Sequence, residues 1–178
     1  MLCYSPSQIF TSFSTHVIIV HLLLSDDAEV FPGPRLNIIL GPNGTGKSTL
    51  THAICLACAG TPSSVGRSDD LRHFIKRGKE EEGCFCEVDL LLKNESVVTI
   101  RRSLNAETKA SKWHLNSKNT TQKEVKAIMS SLHIDVDNLC TFMPQDRVSA
   151  FTQMNSKKLL QNTLECIKTD NGKCDIIL

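Results

Sequence analysis

Eight consecutive residues, Gly41-Pro42-Asn43-Gly44-Thr45-Gly46-Lys47-Ser48, leave this chain few choices of local fold. The spacing G-x-x-x-x-G-K-[ST] calls for a tight turn of backbone N–H groups running straight into a helix. Both flanks supply the rest of such a unit. Leu36-Asn37-Ile38-Ile39-Leu40 is nearly all apolar, as in a short strand buried in a parallel sheet. Leu50, Ala53, Ile54, Ala57 and Cys58 recur at i, i+3, i+4, i+7 and i+8, the stripe of a core-facing helix, and Gly60 stands where that helix is expected to end. In this setting the glycines let N–H groups close around the α and β phosphates of a nucleoside triphosphate. Lys47 reaches the β and γ phosphates, the Ser48 hydroxyl ligates Mg²⁺, and the helix N-terminus adds its positive dipole. The nucleotide-binding candidates are therefore Gly41, Pro42, Asn43, Gly44, Thr45, Gly46, Lys47, Ser48 and Thr49.

Asn43 between Pro42 and Gly44, followed by Thr45-Gly46-Lys47-Ser48, resembles the loop of the ABC-type ATPases more than that of GTPases or small-molecule kinases. A GTPase would also carry an Asn-Lys-x-Asp string to read guanine, and the chain has none. ATP is the expected nucleotide.

With 178 residues the chain is one domain's worth, and a formal net charge of +1 announces no nucleic-acid partner. Charge is concentrated locally. Between Lys93 and Lys126 stand eight Lys or Arg against three Glu, which reads either as a solvated face or as a surface for a phosphate backbone.

Eight cysteines raise the question of disulfides or zinc. Cys55 and Cys58 form a C-x-x-C inside the expected helix, no second C-x-x-C completes a zinc site, and Cys84 and Cys86 are neighbours on one face of a strand. Small buried thiols in a reducing compartment are the expectation. The apolar run Val17 to Leu24 is too short to span a bilayer and lacks a basic segment before it, so no membrane association is expected, and it reads as a strand or a short buried helix. Leu22-Leu23-Leu24-Ser25-Asp26-Asp27 has an apolar-then-acidic order like a Walker B strand, but Ser25 interrupts it and it precedes the phosphate loop, so it carries no catalytic weight.

Downstream, Cys84 to Leu92 and Ser96 to Arg102 read as an antiparallel hairpin, with another short strand at Lys112 to Leu115. Thr121-Gln122-Lys123-Glu124 is a capping box, followed by Val125, Ile128, Met129 and Leu132 at helical spacing. Leu139 to Met143 is expected to return to the sheet and to deliver Pro144-Gln145-Asp146. In the ABC-type ATPases that the loop resembles, a glutamine at the end of such a strand touches Mg²⁺ and the attacking water, its neutral amide ligating through oxygen while the NH₂ group donates a hydrogen bond. Gln145 joins Ser48 as a candidate Mg²⁺ ligand.

Taken together, Gly33-Pro34-Arg35-Leu36-Asn37, the Gly41 to Thr49 loop, Gly66-Arg67-Ser68-Asp69, Phe74-Ile75-Lys76-Arg77-Gly78, Thr120 to Lys123 and Asn138 to Asp146 resemble the N-terminal half of the head of a structural maintenance of chromosomes (SMC) ATPase of the SMC 5 type. The resemblance covers about Phe31 to Ile167. It implies an α/β P-loop NTPase half-head, with a mixed sheet around the loop helix and an antiparallel excursion. It also implies a role in the SMC 5 and SMC 6 complex of DNA recombination and repair, in the nucleus and on the chromosome, with ATP and Mg²⁺ as cofactors. The implied partners are an SMC 6-like head, a C-terminal SMC head lobe, DNA and the non-SMC subunits. Arg67 would reach toward nucleotide or DNA, and Lys76 and Arg77 would face DNA.

The resemblance divides the chain into a divergent segment 1–30, a P-loop lobe 31–155, and a tail 156–178 that begins a coiled-coil helix and ends outside the family pattern. The signature motif, the Walker B aspartate and the catalytic glutamate of an SMC head are missing, so a truncated chain that binds ATP without turning it over is expected. Two other readings stay open. One is a stand-alone P-loop kinase using Asp26, Asp89 and Arg101-Arg102; the other is a non-enzymatic DNA-binding fragment using the Lys93 to Lys126 stretch.

Overall fold

The computed structural model describes residues 12–65, 70–92, 94–108 and 110–167. Within them one six-stranded sheet carries the architecture. Its strands are β1 (Ser12–Val20), β2 (Asp27–Val30), β3 (Cys84–Leu92), β4 (Val97–Leu104), β5 (Ser111–Leu115) and β6 (Lys118–Thr120), in the spatial order β2-β1-β3-β4-β5-β6. Every pairing is antiparallel. Residues 12–30, set apart as divergent in the sequence, thus supply two strands of the sheet; of the Val17 to Leu24 run, residues 17–20 are strand and residues 21–24 form the turn that follows it.

The expected hairpin is present, with Cys84 opposite Leu104 and Leu91 opposite Val97. Alternation places Cys84, Cys86, Val88 and Leu90 of β3 on the buried face with Val17, Ile19, Ile100 and Trp113. Against that face lies α1 (Lys47–Ala57), which buries Leu50, Ala53, Cys55, Leu56 and Ala57. The helix ends one residue earlier than Gly60 suggests. Ala59 takes the left-handed conformation at φ 63°, and the Gly60 N–H bonds back to Cys55 O at 2.9 Å, closing a Schellman turn. Gly60 serves close approach instead, since a Cβ there would collide with Cys55 Sγ and lie 2.7 Å from the Cys55 carbonyl.

Beyond β6, α2 (Gln122–Ser131) starts with both halves of the expected capping box, the Thr121 hydroxyl accepting from the Glu124 N–H and the Glu124 carboxylate accepting from the Thr121 N–H. Val125 and Met129 are buried. Two short α-helices follow, α3 (Val148–Thr152) and α4 (Ser156–Ile167), the latter capped by the Asn155 side chain, which accepts from the Lys158 N–H at 2.8 Å.

Two expected strands do not form. Leu36–Leu40 is irregular and exposed, with Leu36 at 87% and Leu40 at 86% accessibility, so the parallel component of a mixed sheet is missing from the described residues. An apolar strand of this kind needs a sheet to pair with and layers covering both faces, and residues 36–40 pair with none of the described strands. Leu139–Met143 is a run of turns. Asn138 explains it: its side chain accepts from the Cys140 N–H at 2.9 Å, and its carbonyl accepts from Thr141 and Phe142, so local bonds satisfy the backbone that a ladder would otherwise claim.

Candidate nucleotide-binding site

The phosphate loop occupies the entrance to α1. Gly44 and Gly46 stand at φ 83° and 92°, where a side chain would strain the backbone, and Gly46 is the residue from which α1 departs. Gly41 is held bare for a different reason: a Cβ would lie 2.9 Å from Thr45 Oγ1. That hydroxyl donates to Pro42 O at 2.9 Å and fixes the turn. No side chain caps the first turn of α1 and no carboxylate stands in it, so its N–H groups and its positive dipole are open to an anion. Lys47 folds over the loop and donates to Gly41 O at 2.7 Å and Pro42 O at 2.6 Å. Ser48 is exposed at the helix start, while Thr49 turns inward and is buried. Glycine geometry, an uncapped helix end and a lysine folded over the loop are what a chain of phosphates requires, and a magnesium ion accompanying them would find the Ser48 hydroxyl beside the loop.

The turn between β1 and β2 lies beside the end of this loop, anchored to residues 74–76. Leu22 pairs with Ile75 in an isolated bridge, the Leu23 N–H donates to Phe74 O and the Lys76 N–H donates to His21 O, both at 2.8 Å. Ser25 Oγ consequently lies 3.5 Å from where a Gly46 Cβ would sit. In the sequence Ser25 only interrupts an acidic string; its neighbour Asp26 is occupied elsewhere, in an ion pair with Lys76 Nζ at 2.5 Å. The hydrogen bond from Lys76 holds the Asp26 carboxyl below its ordinary range.

Gln145 is exposed and opens a 3₁₀ turn, Gln145–Arg147, behind the buried Pro144. Arg147 donates to Ser63 O at 3.2 Å, tying that turn to the 3₁₀ turn Pro62–Val65 that follows α1. Lys76 is committed to Asp26, Arg77 is exposed, and Arg67 lies outside the described residues.

The groups a kinase reading needs are used in building the sheet. Asp89 accepts from Thr99 Oγ1 at 2.6 Å and faces His16, and Arg101 pairs with Glu87 at 2.6 Å while lying 4.4 Å above the Phe85 ring. Arg102 is buried against α1. It donates to Leu56 O at 3.2 Å and Gly60 O at 3.0 Å and packs 4.6 Å from the Trp113 ring centroid. Burial lowers its guanidinium from the ordinary arginine range. Of the basic stretch, Lys112, Lys118, Lys123 and Lys126 remain exposed. Cys55, Cys58, Cys84 and Cys86 are buried free thiols, and no group of three His, Cys, Asp or Glu among the described residues is arranged to hold a metal.

A P-loop loop-helix unit beside an antiparallel sheet defines a class of nucleotide-binding ATPase domains, and the family described as "AAA domain" matches residues 12–177. The chain belongs to that family. Among curated proteins it is similar to structural maintenance of chromosomes protein 5 of Schizosaccharomyces pombe, 36% identical over 149 residues, and to the protein of that name from Caenorhabditis elegans, 34% identical over 154 residues. These alignments take in 84% and 86% of the chain but only 14% of either relative. Among solved structures, the Smc head domain of Pyrococcus furiosus bound to the C-terminal domain of ScpA superposes with a TM-score of 0.74 at 19% identity, covering 84% of this chain and 40% of that one. The fold is that of an SMC head.

Proposed function

We propose that this chain is the ATP-binding, N-terminal part of an SMC protein 5-like head, acting within the SMC 5 and SMC 6 complex of DNA repair and recombination on nuclear chromosomes. One observation carries the reading: α1 begins uncapped directly behind a glycine loop that has no room for a side chain at Gly41. Backbone N–H groups of Gly44, Thr45, Gly46 and Lys47 would hold the β phosphate, with the Lys47 ammonium leaving Gly41 O and Pro42 O for the β and γ oxygens. Mg²⁺, held by Ser48 and Gln145, would neutralise charge between the β and γ phosphates. Arg67, Lys76 and Arg77 are the proposed contacts to nucleotide or DNA, Lys76 only after release from Asp26.

Leu36–Leu40 supports a second element of the reading. An apolar strand sequence standing exposed beside the phosphate loop matches what a C-terminal head lobe would cover by strand pairing. That lobe, an SMC 6-like head, DNA and non-SMC subunits are the proposed partners, and α4 would start the coiled coil, with Leu160 exposed for a second helix. ATP is bound by this part alone and hydrolysed only in the assembled head.

Calorimetric titration with Mg-ATP, with and without an added C-terminal SMC head lobe, tests the proposal. Binding that tightens with the lobe and no turnover by the chain alone are expected. Turnover by the chain alone would replace this reading with the kinase one.

A further inference from the structure

The six described thiols fall into two sets. Cys55, Cys58, Cys84 and Cys86 are buried where α1 meets β3, and desolvation pushes each thiol up to about 12, which keeps it protonated and unreactive at neutral pH. Cys140 and Cys166 are only half-buried. Each also touches a threonine on the segment that carries the other. Cys140 Sγ lies 3.8 Å from Thr163 Oγ1, and Cys166 Sγ lies 3.0 Å from the Thr141 hydroxyl. Thr141 follows Cys140 directly, and Thr163 precedes Cys166 by three residues on the same side of α4, so the loop runs along the helix with each cysteine beside the other's threonine. Asn138 Nδ2 donates to Asn162 O at 3.0 Å and fixes that alignment. Cys166 and Thr141 also line a cavity of about 490 Å³ that is open to solvent, so the Cys166 side of this contact is reached from outside.

We propose that Cys140 and Cys166 are a redox-responsive pair, joined by a peroxide into a disulfide that clasps α4 to the loop leading to Gln145. The Cys140 thiolate attacks one oxygen of the peroxide, the O–O bond breaks, and sulfenic acid and water result. The Cys166 sulfur then attacks the sulfenic sulfur, the S–O bond breaks, water leaves with the Cys166 proton, and the S–S bond forms. Two thiols give up two electrons to one peroxide, which becomes two waters. Cys166, whose sulfur is already held 3.0 Å from the Thr141 hydroxyl on the segment that carries Cys140, is the resolving partner, and burial also raises its thiol above the ordinary range. A disulfide requires Cα atoms within about 7 Å, a condition suited to residues whose immediate neighbours are already in side-chain contact across the same interface. The clasp fixes the base of α4 relative to a turn that begins four residues after Thr141, and it does so whether or not the proposed function holds.

The full chain, reduced and then treated with dilute hydrogen peroxide, is expected to lose the mass of two hydrogen atoms and to release, on non-reducing digestion, the Cys140 peptide joined to the Cys166 peptide. Its melting temperature should rise by on the order of 5 °C and return on addition of dithiothreitol. In Cys166→Ser, dimedone should trap sulfenic acid on Cys140. Two outcomes would overturn the proposal: alkylation of both thiols in the reduced chain with no joined peptide after peroxide, or Cys140 joined instead to Cys3 or Cys174.

Discussion

The Lys47 ammonium lies 2.6 Å from the carbonyl oxygen of Pro42, so the one cation of the phosphate loop is bound to the loop that it serves. Those bonds are made at the exposed surface, where a hydrogen bond adds little to stability. Lys47→Ala should therefore cost little stability and much affinity, a fall in Mg-ATP binding of at least about tenfold for one charge-assisted contact. Calorimetry beside a thermal melt separates the two; equal binding by the variant would remove the loop from the nucleotide site.

Arg102 works on the opposite end of the same helix. Replacing it by alanine leaves the Leu56 and Gly60 carbonyls without their donor and opens space under Trp113, a loss of about 2–4 kcal/mol. Lysine, with one point charge in place of a fork, should recover only part of it. Urea unfolding of the two variants gives the comparison, and an Arg102→Ala midpoint equal to the parent's would show that the buried guanidinium contributes nothing.

Leu36–Leu40 is expected to behave as a surface that waits for a neighbour. Ile38→Lys, at a position 71% exposed, should leave the isolated chain's melting temperature unchanged and improve its solubility. The same change should weaken association with a C-terminal head lobe in a pull-down. Undiminished association would mean that the lobe docks elsewhere.

Acid should loosen α2 at its start. The Thr120 hydroxyl, then the Thr121 N–H and hydroxyl, hold the Glu124 carboxyl below its ordinary range. A depressed carboxyl adds stability above its unfolded pKa, and that share is lost as pH falls through the folded value, so the capping box should survive to below the usual glutamate range. Amide shifts of Thr121 and Glu124 followed down a pH titration would show it. A midpoint at or above the ordinary glutamate value would refute it. Thr121→Ala removes the cap at any pH, at about 1 kcal/mol.

Thiol reactivity should separate the two cysteine sets. In the folded chain at neutral pH, Cys55, Cys58, Cys84 and Cys86 should resist alkylation and react only after denaturant is added. Peptide mapping that found Cys86 labelled before unfolding would contradict the burial of the α1–β3 seam.

What the sequence revealed was mostly local in origin. The capping box at Thr121 and Glu124 sits within four residues, and the β3–β4 hairpin rests on alternation and a short turn, so each could be read directly. The phosphate loop was legible because its glycines answer to geometry that no other residue satisfies. Leu36–Leu40 misled because apolar content states a need for burial but not whether a partner strand is present. Leu139–Met143 misled because one side chain, Asn138, supplies bonds that β propensity does not register. The packing of Ser25 beside Gly46 was out of reach, since it depends on the Leu22–Ile75 bridge between segments more than fifty residues apart. Ala59 taking the left-handed position that Gly60 seemed to advertise shows how close approach can fix a glycine in place of backbone freedom.

The strand order also sets a timetable for folding. β3 to β6 form a continuous meander whose neighbours are joined by short turns, whereas β1 reaches β3 only by closing a loop such as that between His16 and Asp89, 73 residues apart. Local pairings form before distant ones because less chain entropy must be lost to make them. During synthesis the meander should thus be complete before the β1–β2 hairpin docks, so Ser25, in the turn of that hairpin, reaches its place beside Gly46 late.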